Sequence, residues 1–153
     1  MLETVALKYQ RFAPLILRIG LGLVFVLFGI QKLSHPGQTT SEVQLLTNFE
    51  LVDAAALNYY LGLTELCIAI SFLLGFKVRL FAPIAFLMVA MFFLSFLSKY
   101  GASLNPDLYR DIGLGGASIA LFLLGAGPMS IDNSSHKKEN NERLCKKIND
   151  NGE

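Results

Sequence analysis

Charged side chains inside long apolar segments are the residues of this chain that could do chemistry. Glu65 stands near the middle of one such run, and Arg110 and Asp111, adjacent and of opposite sign, open another. Arg18 and Lys32 lie near the two ends of a third. An ionisable group at membrane depth usually faces the interior of a helix bundle and has a charged partner. These residues predict either a structural network of ion pairs or a ligand or proton site, and both interpretations stay open.

The depth of each charge decides which of them can meet. At a rise of ~1.5 Å per residue, Glu65 lies about 15 Å from the start of its segment, near the midplane of a bilayer. Lys32 and Arg110 lie toward the outer boundary, and long basic side chains can extend along their helices. We therefore expect one cluster formed by Lys32, Glu65, Arg110 and Asp111. Arg18, roughly one to two turns inside the opposite boundary, is the alternative partner of Glu65.

The elements that must position these charges are transmembrane helices. Hydrophobic residues make up 53% of the 153 residues and charged residues only 16%, and the mean hydropathy is +0.49. A chain of this composition is an all-α integral membrane protein rather than a soluble domain. We predict a transmembrane domain over residues 13–132, built as a four-helix bundle. The predicted spans are residues 14–33, 55–76, 80–97 and 109–129.

The segments outside the spans are polar or amphipathic. Residues 1–12 place apolar side chains three or four positions apart, which is typical of a short interfacial helix. Residues 34–54, between helices 1 and 2, combine turn residues with an amphipathic stretch and predict a short extracytoplasmic cap. Residues 133–153 carry charges of both signs and predict a disordered cytoplasmic tail.

The distribution of basic residues predicts the orientation. With four spans, ten of the 13 Lys and Arg residues fall on the side of the two termini and three on the other. Loops that remain in the cytoplasm carry an excess of Lys and Arg. Both termini are therefore expected in the cytoplasm.

Several classes of site find no support in the sequence. No basic stripe interleaved with aromatic residues points to nucleic acid. The two cysteines, Cys67 and Cys145, form no CxxC motif, and we expect both to be plain thiols rather than parts of a metal or disulfide site. The histidines, His35 and His136, lie outside the predicted spans, so a haem held by paired histidines is not expected. No Gly-x-Gly-x-x-Gly follows a strand to bind a dinucleotide.

Three stretches resemble the DoxX family of small four-span membrane proteins over about residues 14–132. They are LRIGLGLVFVLFGIQKL in the first span, TELCIAISFLLGF in the second, and RDIGLGGASIALFLLGAGPMSID at the end of the domain. The family pattern has a basic residue early in span one, a Gly-x-x-Lys-Leu close, a Glu in span two and an Arg-Asp pair opening span four. The matching positions are Arg18, Gly29, Lys32, Leu33, Glu65, Arg110 and Asp111.

The resemblance implies a subunit or anchor of a redox complex in the bacterial inner membrane, acting with a redox partner subunit as an oxidoreductase. The sequence itself contains no redox centre, so it leaves open whether the chain is catalytic. If electrons are involved, a bound quinone is the cofactor that an apolar bundle with a few buried polar groups can hold. The partners that stay open also include a second copy of the chain, in a homo-oligomer.

Two other functions stay open. Four spans with one mid-membrane carboxylate also suit a small proton-coupled transporter that uses Glu65, in which Tyr59 and Tyr60 would contribute to the site. The second alternative is a non-catalytic assembly or scaffold protein of the membrane.

Overall fold

The computed structural model describes residues 9–43, 53–101, 106–127 and 129–132, and every regular element among them is helical. A 3₁₀ turn, Gln10–Phe12, leads into the first long helix. The helices are α1 (Ala13–Ser34), α2 (Pro36–Val43), α3 (Ala54–Leu74), α4 (Val78–Tyr100) and α5 (Pro106–Leu124). Most of the predicted interfacial helix and the whole of the predicted tail lie outside the described residues.

Three helices are long and apolar enough to cross a membrane, over Gln10–Ser34, Ala54–Leu74 and Val78–Ser98. Their outward faces carry large apolar side chains, such as Ile16, Leu27 and Leu87, which are 69%, 65% and 62% exposed. Large apolar side chains exposed on several faces of one bundle are typical of helices that contact lipid. The chain is therefore a multi-pass membrane protein, and these helices contact lipid. The fourth predicted span corresponds to α5, which is not among the three.

The helix ends follow local signals in the sequence. Asp53 caps α3 by accepting the Ala55 N–H at 3.0 Å, which satisfies one donor that a helix N-terminus leaves open. At the other end of α3, Gly75 takes the left-handed conformation with φ of 69°, which costs glycine little. The helix therefore ends at Leu74, two residues before the predicted limit of 76.

Helix α5, which corresponds to the fourth predicted span, also ends earlier than predicted. The prediction extended the span to residue 129, whereas α5 ends at Leu124. Gly125 and Gly127, with φ of 72° and 77°, turn the chain out of the helix. The segment after α5 returns to the turn between α3 and α4, where the Asp132 carboxylate accepts the N–H groups of Lys77 and Val78 at 2.8 and 3.2 Å.

The bundle consists of two closely packed helix pairs, α1 with α3 and α4 with α5. Glycines allow the first pair to approach closely: a Cβ on Gly29 would lie 2.8 Å from Leu66 Cγ and 2.9 Å from the Gly62 carbonyl oxygen. Small residues at such contacts permit backbone approach in membranes, where lipid removes the hydrophobic drive for association. The apolar core joins the two pairs, and its buried members are Leu21, Phe25, Ile68, Ala69, Phe72, Val78, Ala82, Ala85, Met88, Val89 and Leu121.

The short helix α2 lies between α1 and α3 in the chain and packs against both. Its Val43 and Thr39 are buried, at 0% and 3% exposure. This helix occupies the region of the predicted cap, and it brings Thr39 to the end of the bundle that holds the charged residues described next.

Candidate functional site

A buried ion pair joins α1 to α3. Lys32 Nζ lies 2.7 Å from Glu65 Oε1, and the two side chains are 9% and 3% exposed. Lys32 is near the end of α1 and Glu65 near the middle of α3. Because Cα–Cβ bonds tilt toward a helix N-terminus, a lysine at the end of α1 directs its long side chain back into the bundle. This geometry lets a residue near the helix end neutralise a carboxylate at mid-depth.

A second ion pair belongs to α5. Arg110 Nε lies 3.1 Å from Asp111 Oδ1, with the Arg110 side chain 42% exposed and the Asp111 side chain 4% exposed. The Phe28 ring of α1 connects the two pairs: the Arg110 guanidinium lies 4.9 Å and Lys32 Nζ 5.6 Å from its centroid. A cation over an aromatic face is attracted by the ring quadrupole. Both cations are therefore held by a carboxylate and a ring.

Both ion pairs line one cavity of about 200 Å³, which we call the head-group cavity. Its polar wall consists of Gln31, Lys32, Thr39, Glu65, Arg110 and Asp111. Its apolar wall consists of Phe25, Phe28, Met88, Val89, Phe92 and Phe96. An apolar cavity with a few convergent polar groups is the usual form of a small-molecule site.

The charges of this cavity balance, since two basic and two acidic side chains line it. Such a cavity favours a neutral polar molecule over an ion, because a net-charged guest would leave its own charge uncompensated at low dielectric. The lysine ammonium carries three N–H donors and the guanidinium five. The wall can therefore offer hydrogen bonds to the oxygen atoms of a neutral guest.

Asn58 forms a hydrogen bond with the backbone of Lys32, and it was not among the residues predicted from the sequence. Its Nδ2 donates to the Lys32 carbonyl oxygen at 3.1 Å, and Asn58 is 1% exposed. This bond satisfies a carbonyl near the end of α1, where no further helical turn supplies a donor. The available signal was spacing: Asn58 is a polar residue in an apolar run, two helical turns before Glu65 and on the same face.

Thr39 and Phe28 are further lining residues that the sequence analysis did not select. Thr39 lies on α2, in a segment whose pairing with the bundle has no sequence signature. Phe28 lies one turn before Lys32 on α1, so its position on the same helix face could have been noticed from spacing alone.

The structure does not bring Arg18 to Glu65. Instead, Arg18 is buried at the opposite end of α1, 1% exposed. Its Nη1 donates to the Ala126 carbonyl and its Nη2 to the Met129 carbonyl, both at 2.8 Å. These bonds fasten the segment after α5 to the start of α1. Arg18 thus serves the packing of this end of the bundle, away from the head-group cavity.

Tyr59 and Tyr60 do not line the head-group cavity. They are 55% and 66% exposed on the outside of α3 and stack edge to face on each other. Cys67 is also exposed on α3, while Cys145 and His136 lie outside the described residues. Within the described residues, no three His, Cys, Asp or Glu side chains gather as metal ligands would.

The long apolar helices, with charges gathered inside, define a helical multi-pass membrane protein. The chain belongs to the DoxX family, since the model of that family matches residues 13–98, more than half of the sequence, which confirms the resemblance found in the motifs. The matched part contains Arg18, Lys32 and Glu65, while Arg110 and Asp111 follow it. Comparison with curated proteins and with solved structures gave no match.

Proposed function

We propose that this DoxX protein is the membrane subunit or anchor of a redox complex and binds the head group of a quinone. The observation that carries the proposal is the head-group cavity, in which two ion pairs and several aromatic rings surround about 200 Å³. A quinone ring is neutral, flat and apolar, with carbonyl oxygens that accept hydrogen bonds. The balanced charge, the shape and the hydrogen-bond donors of the cavity therefore suit a quinone ring better than an ion.

Each charged residue has a distinct role in this proposal. Lys32 and Arg110 donate hydrogen bonds to the quinone oxygens, and Glu65 and Asp111 hold these two cations in position at 2.7 and 3.1 Å. Phe28 and Phe92, which both line the cavity, contact the faces of the ring. A bound quinone supplies the capacity to take up two electrons and two protons. In keeping with the family, the electrons come from a redox partner subunit.

The proposal includes a four-span topology in the bacterial inner membrane, with α5 as the fourth span. Helix α5 has 19 residues, and Asp107, Arg110 and Asp111 in its first turns lower its mean hydropathy. It starts just after the end of α4, while the Asp132 carboxylate beyond it bonds the N–H groups at the start of α4. Helix α5 therefore runs back along α4, and it exposes Ile112 and Leu123 as a lipid-facing helix does.

In this topology α2 forms an extracytoplasmic cap and both termini are cytoplasmic. Cysteine labelling tests this topology. Cys67 and Cys145 are first replaced by serine, single cysteines are then introduced, and each is treated with a membrane-impermeant maleimide. We expect His35→Cys and Ser98→Cys to react in intact cells, and Phe76→Cys and Ile131→Cys only after permeabilisation. If Ser98→Cys and Ile131→Cys react from the same side of the membrane, α5 does not span it.

The function is tested by extracting quinone from the protein purified in mild detergent. We expect close to one quinone per chain in the wild type, and a strong loss in the double variant Lys32→Met with Glu65→Leu, which removes the ion pair without leaving a lone charge. Arg79→Met is the matched control, because Arg79 is an exposed cation at the start of α4 outside the cavity lining. Wild-type protein free of quinone, together with unchanged quinone reduction in a strain that lacks the chain, would refute the proposal.

A further inference from the structure

A second cavity lies beside the first, between α4 and α5. It measures about 280 Å³, and two of its lining residues, Leu94 and Ile112, are 61% and 58% exposed on the outside of the bundle. Its walls include Phe86, Ala90 and Phe93 of α4 and Ile112, Gly115 and Gly116 of α5. We call it the α4–α5 groove. Its lining is apolar apart from Asp111, so an apolar guest fits it and a polar one would lose its hydrogen bonds.

The groove adjoins the head-group cavity. Val89 and Asp111 line both, and they are 7% and 4% exposed. The two cavities thus share a wall at these two residues, with the charged side chains on one side of it and apolar side chains on the other. The pair of cavities has the amphiphilic form of a molecule with a polar head and an apolar chain.

The glycines on α5 leave the groove open. A Cβ on Gly116 would meet no atom within 4 Å, and one on Gly115 would meet only the Phe86 ring, at 3.7 Å. By contrast, glycines at the contact between α1 and α3 would collide with the neighbouring helix. Close helix packing therefore does not explain the absence of a side chain at position 116, and the space beside it is available to a guest.

We propose that the α4–α5 groove holds the hydrocarbon chain of the same molecule whose ring occupies the head-group cavity. The ligand class is then a quinone that carries a long apolar chain and enters sideways from the membrane, past Val89 and Asp111. This inference rests on the proposed function. The size of the first cavity agrees with it, because about 200 Å³ is less than the roughly 300 Å³ at which pockets for whole drug-sized ligands begin.

The test compares two probes and two glycine variants in detergent-solubilised protein. The probes are a substituted benzoquinone without a chain and the same ring with a ten-carbon chain, and the readout is the equilibrium dissociation constant of each. Gly116→Leu places a side chain in the groove. Gly113→Leu is the matched control, because Gly113 is on the same helix, is exposed, has no atom within 4 Å of its Cβ position and lines neither cavity.

We expect Gly116→Leu to weaken binding of the chain-bearing quinone about tenfold or more, the effect of overfilling a packed site. Binding of the chainless quinone should stay unchanged, and Gly113→Leu should bind both probes as the wild type does. Ala90→Leu narrows the groove from α4 and should repeat the effect, which keeps the test valid if Gly116→Leu does not fold.

The other outcomes are distinct. Equal affinity of Gly116→Leu and wild type for the chain-bearing quinone would overturn the inference and leave the proposed function standing. Native mass spectrometry can show whether the wild type retains a phospholipid that Gly116→Leu loses. If so, and if the quinone affinity is unchanged, the groove binds membrane lipid and the inference is overturned. Failure of the wild type to bind either probe would refute the proposed function, and this inference with it.

Discussion

Lys32 Nζ lies 2.7 Å from Glu65 Oε1 in the interior of the bundle, so the last turn of α1 is bonded to the middle of α3. This contact has two separable consequences. It stabilises the packing of the two helices, and it positions a cation at the wall of the head-group cavity. Variants that remove one charge or both charges distinguish these consequences.

Glu65→Gln should lower the free energy of unfolding by about 3–5 kcal/mol, because it leaves the Lys32 ammonium buried without its countercharge. Lys32→Met combined with Glu65→Leu should recover most of that loss, since apolar residues of similar volume replace a buried pair at little cost. Thermal unfolding in detergent measures both. If the double variant is as unstable as Glu65→Gln, the pair contributes through shape rather than charge.

The close approach of α1 and α3 predicts different effects for two glycines of α1. Gly29→Ala should destabilise the protein by about 1–3 kcal/mol, because its Cβ would lie 2.9 Å from the Gly62 carbonyl oxygen, backbone that cannot move aside easily. Gly20→Ala should be neutral or stabilising by up to about 1 kcal/mol, since nothing lies within 4 Å of its Cβ position and alanine favours helix. Equal unfolding temperatures for the two variants would contradict this packing.

Gly75 and Gly125 test the position of Arg18. Both have left-handed φ, 69° and 72°, so alanine at either costs about 1–2 kcal/mol of backbone strain. A Cβ on Gly75 would also collide with Arg18 Nη1, whereas one on Gly125 would meet Arg79 Nε at 3.1 Å. The Arg79 side chain is exposed and can shift. We therefore expect Gly75→Ala to be the more destabilising in chemical unfolding, and similar losses would place the Arg18 guanidinium elsewhere.

Asp132 caps the start of α4 from a distance along the chain, and removing it should expose two backbone amides. Asp132→Ala should cost about 0.5–2 kcal/mol, as for other N-terminal caps, and should speed hydrogen exchange at Lys77 and Val78, whose N–H groups bond its carboxylate. Asp53→Ala is the comparison, because the Asp53 carboxylate accepts an N–H two residues along the chain, that of Ala55. Unchanged exchange at residues 77 and 78 in Asp132→Ala would contradict the contact.

Much of the fold could be predicted because its signals are local. Apolar runs long enough to span a bilayer mark α1, α3 and α4, and the observed α1, Ala13–Ser34, differs from the predicted 14–33 by one residue at each end. The helix ends at Leu74 and Leu124 were placed too late, because apolar composition continues past them and only the left-handed glycines that follow end the helices.

The contacts of Arg18 and the contact between Phe28 and Arg110 could not be predicted in the same way. Arg18 bonds backbone carbonyls of residues 126 and 129, and every residue has a carbonyl, so no residue type marks the partner. Phe28 is one of 12 phenylalanines, and its place between Lys32 and Arg110 depends on how α1 faces α5. A charge in an apolar run signals that a partner is needed, while helix rotation and turn geometry decide which one it meets.

The bonds of Arg18 also have a consequence for the order of synthesis. Their acceptors lie 108 and 111 residues further along the chain, so the ribosome makes them only after every long helix has been completed. We expect the guanidinium to be solvated by water and lipid head groups until then, as long basic side chains can be. The start of α1 therefore acquires these two bonds only after the last long helix has been made, so the packing of the first transmembrane helix is completed by the segment that follows α5.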